Sequence, residues 1–101
     1  MTNRMRPIHP GEILKDELAA LQLSANAFAK ALGVPANRIT GILNEQRSVT
    51  ADTALRLARF FGTTPEFWMS LQASYDVKRA RQTVGKAIER AVKPRPAKLA
   101  A

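Results

Sequence analysis

The chain has 101 residues, room for one domain, and carries 16 Lys+Arg against 8 Asp+Glu for a net charge of +8. It contains no cysteine, which excludes disulfides, thiolate metal sites and cysteine nucleophiles together. No apolar run approaches the roughly 18 residues of a membrane helix. The charge is unevenly spread. Residues 1–75 hold eight basic and six acidic side chains (8 − 6 = +2), whereas residues 76–101 hold eight and two (8 − 2 = +6). The basic start, Met1 to Arg6, is like that of a signal peptide, but Glu12, Lys15, Asp16 and Glu17 stand where its apolar stretch would follow. These features predict a soluble, cytoplasmic domain whose partner is a polyanion, nucleic acid ahead of an anionic membrane surface.

Punctuation and periodicity predict five helices and no strand. Pro10 opens helix one, about 10–22, with Ile13, Leu14, Leu18 and Leu21 on its apolar face. Ser24 caps helix two, 24–32, which buries Phe28, Ala29 and Leu32. Pro35 opens helix three, about 35–45, with Ile39, Ile42 and Leu43 inward. Thr50 caps helix four, 51–61, and Thr64-Pro65 starts helix five, which is expected to run to about 82. A weaker pattern, Val84, Ile88, Ala91 and Val92, leaves room for a sixth short helix beyond Gly85, and a disordered tail is expected from Lys93. The predicted organisation is an N-terminal extension at 1–9, an all-α helix-turn-helix domain at 10–82 with the motif itself at 24–45, and a basic, partly disordered C-terminal arm at 83–101.

The spacing Ala29, Gly33, Ile39 has a physical logic. A small Ala29 lets two helices approach, and Gly33 permits the left-handed turn between them. The same spacing recurs at Ala58, Gly62 and Trp68. What separates the copies is the outer face of the second helix. The first copy presents Ala36, Asn37, Arg38, Thr40 and Gly41, small or hydrogen-bonding residues suited to base edges in a major groove. The second presents Glu66, Phe67 and Met69, which suit a core or a dimer interface. Ser24, Asn26, Asn44, Arg47 and Ser48 are the candidates for phosphate contact, Ser24 having an equally complete explanation as a helix cap. The polar face of helix four, with Arg56 and Arg59, reads as solvated surface rather than a DNA contact. The stripe Phe67, Trp68, Leu71 and Tyr75 is assigned to core and, in part, to a dimer contact. His9 and Glu12 are too few for a metal site and suggest no catalytic pair; no cofactor, metal or enzymatic activity is expected.

Two stretches carry a likeness to a known family: Arg6-Pro7-Ile8-His9-Pro10-Gly11-Glu12-Ile13-Leu14, and the run from Thr50 through Trp68 with Leu71-Gln72 and Tyr75-Asp76. Over residues 6–80 the chain resembles the lambda-repressor/Cro-like helix-turn-helix superfamily, and within it the HigA antitoxins. That resemblance implies a five-helix lambda-repressor-like bundle. It also implies a homodimer that binds a palindromic operator in its own promoter and neutralises a cognate HigB-like toxin, an mRNA endonuclease. The competing readings are an autonomous helix-turn-helix repressor without a toxin and a pure protein-interaction module. The chain departs from the superfamily at Ala25, where Gln is frequent, and at Glu45-Gln46, where Gly-Lys often follows Asn44. Because a ribonuclease is itself basic where it meets RNA, the basic arm is an awkward toxin site; the outer faces of helices one and five are preferred.

Overall fold

The computed structural model describes residues 6–96 and contains five helices: α1 (Pro10–Leu21), α2 (Ala25–Leu32), α3 (Ala36–Leu43), α4 (Ala51–Phe61) and α5 (Pro65–Ala91). No strand occurs among the described residues. Residues 1–5 of the expected N-terminal extension and 97–101 of the expected tail lie outside them.

The starts are legible in the sequence because each is fixed locally. The side chains of His9, Ser24, Thr50 and Thr64 accept hydrogen bonds from the backbone N–H of Gly11, Ala27, Thr53 and Phe67, satisfying donors that a helix leaves orphaned. Helix three is shorter than expected at both ends. Pro35 is its extended N-cap (ψ 147°), not its first residue. At the other end Glu45 turns left-handed (φ 61°), and the N–H groups of Gln46 and Arg47 both return to the Gly41 carbonyl. α2 and α4 end on Gly33 (φ 72°) and Gly62 (φ 74°), so the repeated spacing corresponds to two corners of the same backbone design.

The core gathers Leu14 and Leu18 of α1, Phe28 and Leu32 of α2, Ile39 and Ile42 of α3, Leu57 of α4 and Trp68 of α5. Phe28 sits edge-on to Phe60 at 5.2 Å between ring centroids. α1 meets α3 at Gly11, where a Cβ would lie 2.0 Å from the Ile42 carbonyl oxygen. Only glycine allows this approach, which seats the start of α1 on the end of α3.

The expected break near residue 82 is absent, as is a separate sixth helix. α5 runs unbroken through Gly85 to Ala91, 27 residues or about 40 Å. One glycine costs a helix about 1 kcal/mol, and Ala80, Arg81, Gln82 and Lys86 around it favour continuation. Nothing nearby offers a capping alternative, since the Thr83 hydroxyl bonds back to the Arg79 and Ala80 carbonyls. The helix first returns alongside α4, where the buried Gln72 accepts from the Val49 N–H (2.8 Å) and donates to Asp76 (3.0 Å). Its last four turns then project beyond the bundle, giving a molecule of 54 × 27 × 26 Å.

Candidate nucleic-acid interface

α2, the Gly33 turn and α3 form the helix-turn-helix. Ala29 is buried at the crossing, and Val34 N–H bonds to the Ala29 carbonyl (3.0 Å), closing the turn. α3 buries Ile39 and Ile42 and turns its other side outward. Of the residues expected to read bases, Ala36 and Asn37 are exposed at the first turn. Thr40 is half-buried, its hydroxyl 3.4 Å from the Asn37 carbonyl.

Arg38 is engaged within the chain. Its guanidinium donates to Asp52 of α4 at 2.6 Å, and the same carboxylate oxygen receives Arg56 Nε at 3.0 Å. Arg56 in turn donates to the Leu32 carbonyl (2.8 Å), the last residue of α2. A single line therefore runs from α3 through Asp52 and Arg56 to the end of α2, fastening the motif to α4. Arg56 thus occupies a C-capping position instead of the solvated surface expected for it. The Arg56 guanidinium, and after it that of Arg38, hold the Asp52 carboxyl below its ordinary range. The pair Asp52/Arg56 has ordinary i,i+4 helical spacing. Its link to Arg38, fourteen residues away, has no sequence signal.

Gly41 lies under Arg47, whose Cβ would be 3.2 Å from an added Cβ. Its missing side chain makes room for the α3–α4 loop, the packing alternative to close DNA approach. Among the phosphate candidates, Ser24 spends its hydroxyl on the α2 cap (3.1 Å to Ala27 N), while Asn26, Asn44, Arg47 and Ser48 are exposed or half-exposed. Arg38, Arg47, Ser48, Thr50 and Thr53 line a shallow cleft of about 280 Å³ at the start of α4. Arg47, the hydroxyls and a helix N-terminus in one place are suited to an anion such as phosphate, with Arg38 as a second cation if it leaves Asp52.

The expected dimer stripe divides. Trp68 is 2% exposed and belongs to the core, with its indole N–H on the Thr63 hydroxyl (2.9 Å). Leu71 is half-buried against that core, and Tyr75 packs edge-on to His9 at 4.7 Å. Phe67 alone is open, at 44%. His9 is buried; besides capping α1 through Nδ1 (2.9 Å to Gly11 N), it bonds to the backbone of Arg47. Burial pushes its pKa down, against Glu45, Asp76 and Glu12, which favour the charged ring.

Two helices crossing at a small residue and a left-handed glycine, with the second helix turned outward, define a helix-turn-helix protein. A helix-turn-helix family model matches residues 14–68. The virulence-associated protein I of Dichelobacter nodosus is 54% identical over 81 residues, 79% of this chain and 75% of that protein. Among solved structures, an addiction module antidote protein of the HigA family from Coxiella burnetii is 63% identical with a TM-score of 0.86, over 88% of this chain and 98% of that one. The Pseudomonas aeruginosa antitoxin HigA, solved with the higBA promoter, is 47% identical with a TM-score of 0.87, over 90% and 100%. The chain belongs to the helix-turn-helix family and, within it, to the HigA antitoxins.

Proposed function

We propose that this chain is a sequence-specific DNA-binding antitoxin of a type II toxin–antitoxin module. As a homodimer it binds a palindromic operator in its own promoter and represses its operon. By direct contact it neutralises a HigB-like mRNA-endonuclease toxin. It acts by binding, not catalysis, and in the cytoplasm. The observation that carries this reading is the outward, polar first turn of α3 in a chain 47% identical to an antitoxin solved on its promoter.

In this reading Ala36, Asn37 and Thr40 face the major groove, Asn37 matching the two hydrogen-bonding atoms of an adenine edge. Arg38 reaches a base or phosphate by exchanging Asp52 for DNA, and Gly41 acts by letting Arg47 lie close to α3. Arg47, Ser48 and the start of α4 hold one phosphate, with Asn26 and Asn44 on the flanks and the α2 N-terminus at Ser24 presenting its free N–H groups. With Trp68 in the core, the homodimer contact moves to the projecting half of α5. Val77, Val84 and Ile88 are exposed there at helical spacing, and no other described element of the chain covers them.

The test is to express the chain with the products of its neighbouring genes, and to titrate the complex against its upstream DNA. Retention of a neighbour whose gene alone stops growth, with DNA binding abolished in Asn37→Ala/Arg38→Ala, is the expected result. A chain that binds its upstream DNA without such a neighbour is an autonomous repressor. Unchanged DNA binding in the double variant removes α3 as the reader.

A further inference from the structure

An apolar recess that neither the interface nor the projecting helix uses lies between α1 and the α4–α5 corner. It is about 200 Å³ in volume, lined by Ile13, Glu17, Phe61, Thr63, Phe67 and Trp68. Trp68 is the floor, tilted against Phe61 at 5.6 Å and met edge-on by Phe67 at 5.2 Å. The indole N–H is already satisfied by Thr63, so the floor of the recess is an aromatic surface with no buried polar atom left without a partner. Phe67 stays 44% exposed on its wall, at the first turn of a well-capped helix, where nothing in the fold requires a large aromatic residue. The volume falls below the roughly 300 Å³ at which small-molecule sites begin; it suits one anchoring side chain of a partner protein.

Charge indicates which partner. Glu17 lines the recess; Asp16, its neighbour on α1, and Glu66, the neighbour of Phe67 on α5, are exposed carboxylates of the same two elements. Among the described residues none pairs with these three carboxylates, whereas Glu12 is held by Arg6 and Asp52 by two arginines. With Glu12 paired, α1 keeps two free acids and one lysine (1 − 2 = −1) within a chain of net charge +8. A nucleic acid is therefore poorly matched to this rim and a basic protein well matched; because this chain is itself basic, a second copy is told apart by the mass in solution. The recess also lies at the end of α4 away from Thr50, a helix of eleven residues, or about 16 Å, from the phosphate cleft. A partner seated here leaves α3 free.

We infer that the cleft between α1 and the first turn of α5 is where this antitoxin grips its toxin, taking an apolar side chain next to a lysine or arginine of a basic ribonuclease. This inference rests on the antitoxin reading above and adds the surface to it. The experiment uses the full chain co-expressed with the protein encoded by the adjacent gene. It compares wild type, Glu17→Lys/Glu66→Lys and Phe67→Ser for capture of that protein, upstream-DNA binding, mass in solution and Tm. The expected result is capture weakened about tenfold or more by either variant, growth rescue abolished in parallel, and DNA binding by the charge-reversed variant unchanged. Capture by both variants at wild-type strength, with wild type binding the neighbour, overturns the cleft while leaving the antitoxin reading intact. Absence of capture by wild type overturns both. Conversion of Phe67→Ser to a monomer assigns the recess to the homodimer and overturns the inference.

Discussion

Glu45 and His9 show how single positions carry cost and information. Glu45 holds φ at +61°, in the region that L-residues other than Asn and Asp avoid and that glycine, with no Cβ, adopts freely. This is the position where the wider superfamily often has glycine, and the backbone supplies the reason: α3 needs a left-handed residue to let the chain turn back over Gly41. Glu45→Gly is expected to stabilise the fold by about 1 kcal/mol, read as a higher midpoint in urea. It also removes a carboxylate near the proposed DNA surface, so tighter binding to upstream DNA should accompany it. His9 supplies a pH dependence whose sign follows from its environment. Its folded pKa is lowered by burial, and Nδ1 must stay unprotonated to cap α1. The associated stability is therefore full above the ordinary value of 6.5 and is lost as pH falls through the depressed folded value. Thermal melts from pH 8 down to pH 5 should show a falling Tm that His9→Asn, which keeps a cap acceptor and does not titrate, makes flatter over the same range.

The helices are readable where their ends are set by neighbours in sequence. Ser24, Thr50 and Thr64 cap the next helix from within three residues, and Gly33 and Gly62 end the previous one, so α2 and α4 fall where periodicity puts them. The end of α5 is not readable in this way, because a lone Gly85 is a breaker only when something nearby offers the chain a better alternative. What holds the middle of α5 is the hydrogen bond from the Val49 N–H to Gln72 across 23 residues. Gln72→Ala leaves that buried donor unpaired, at a cost of roughly 1–3 kcal/mol. Chemical denaturation should report this loss, and amide exchange at Val49, in the loop before α4, should accelerate ahead of that in α4 itself. Normal exchange at Val49 in the variant would mean that α5 is held by its apolar face alone.

For the whole molecule, continuity of α5 changes how its basic half is to be tested. Truncation at residue 83 would remove the exposed Val84 and Ile88 together with the cations, confusing loss of the proposed dimer contact with charge removal. Replacing Lys86, Arg90 and Lys93 with Gln separates them. The slope of log K against log salt for upstream DNA should flatten by about 0.9 for each phosphate no longer neutralised, with the mass in solution unchanged. Val84→Asp/Ile88→Asp should do the reverse, halving the mass in solution and lowering Tm only by what association contributed, so that Tm no longer depends on protein concentration, because both side chains are already in water in the single chain. Without the dimer, DNA affinity should fall steeply, since the two halves of a palindrome then bind independently.

The class of protein, the helix starts, the helix-turn-helix and the choice of its second helix as the outward one are all written in the linear chain. Each depends on residues close together in it: a cap and its donor, a glycine and the helix it ends, or a face repeating every three or four residues. Folding in three dimensions adds what such neighbours cannot. It draws Arg38 onto Asp52 and Arg56 onto the end of α2, turns Trp68 into the core, lays Arg47 over Gly41, and leaves Phe67 beside an acidic rim. Those outcomes depend on which helices lie side by side, and one-dimensional spacing fixes the face a residue occupies but not the residue it meets there.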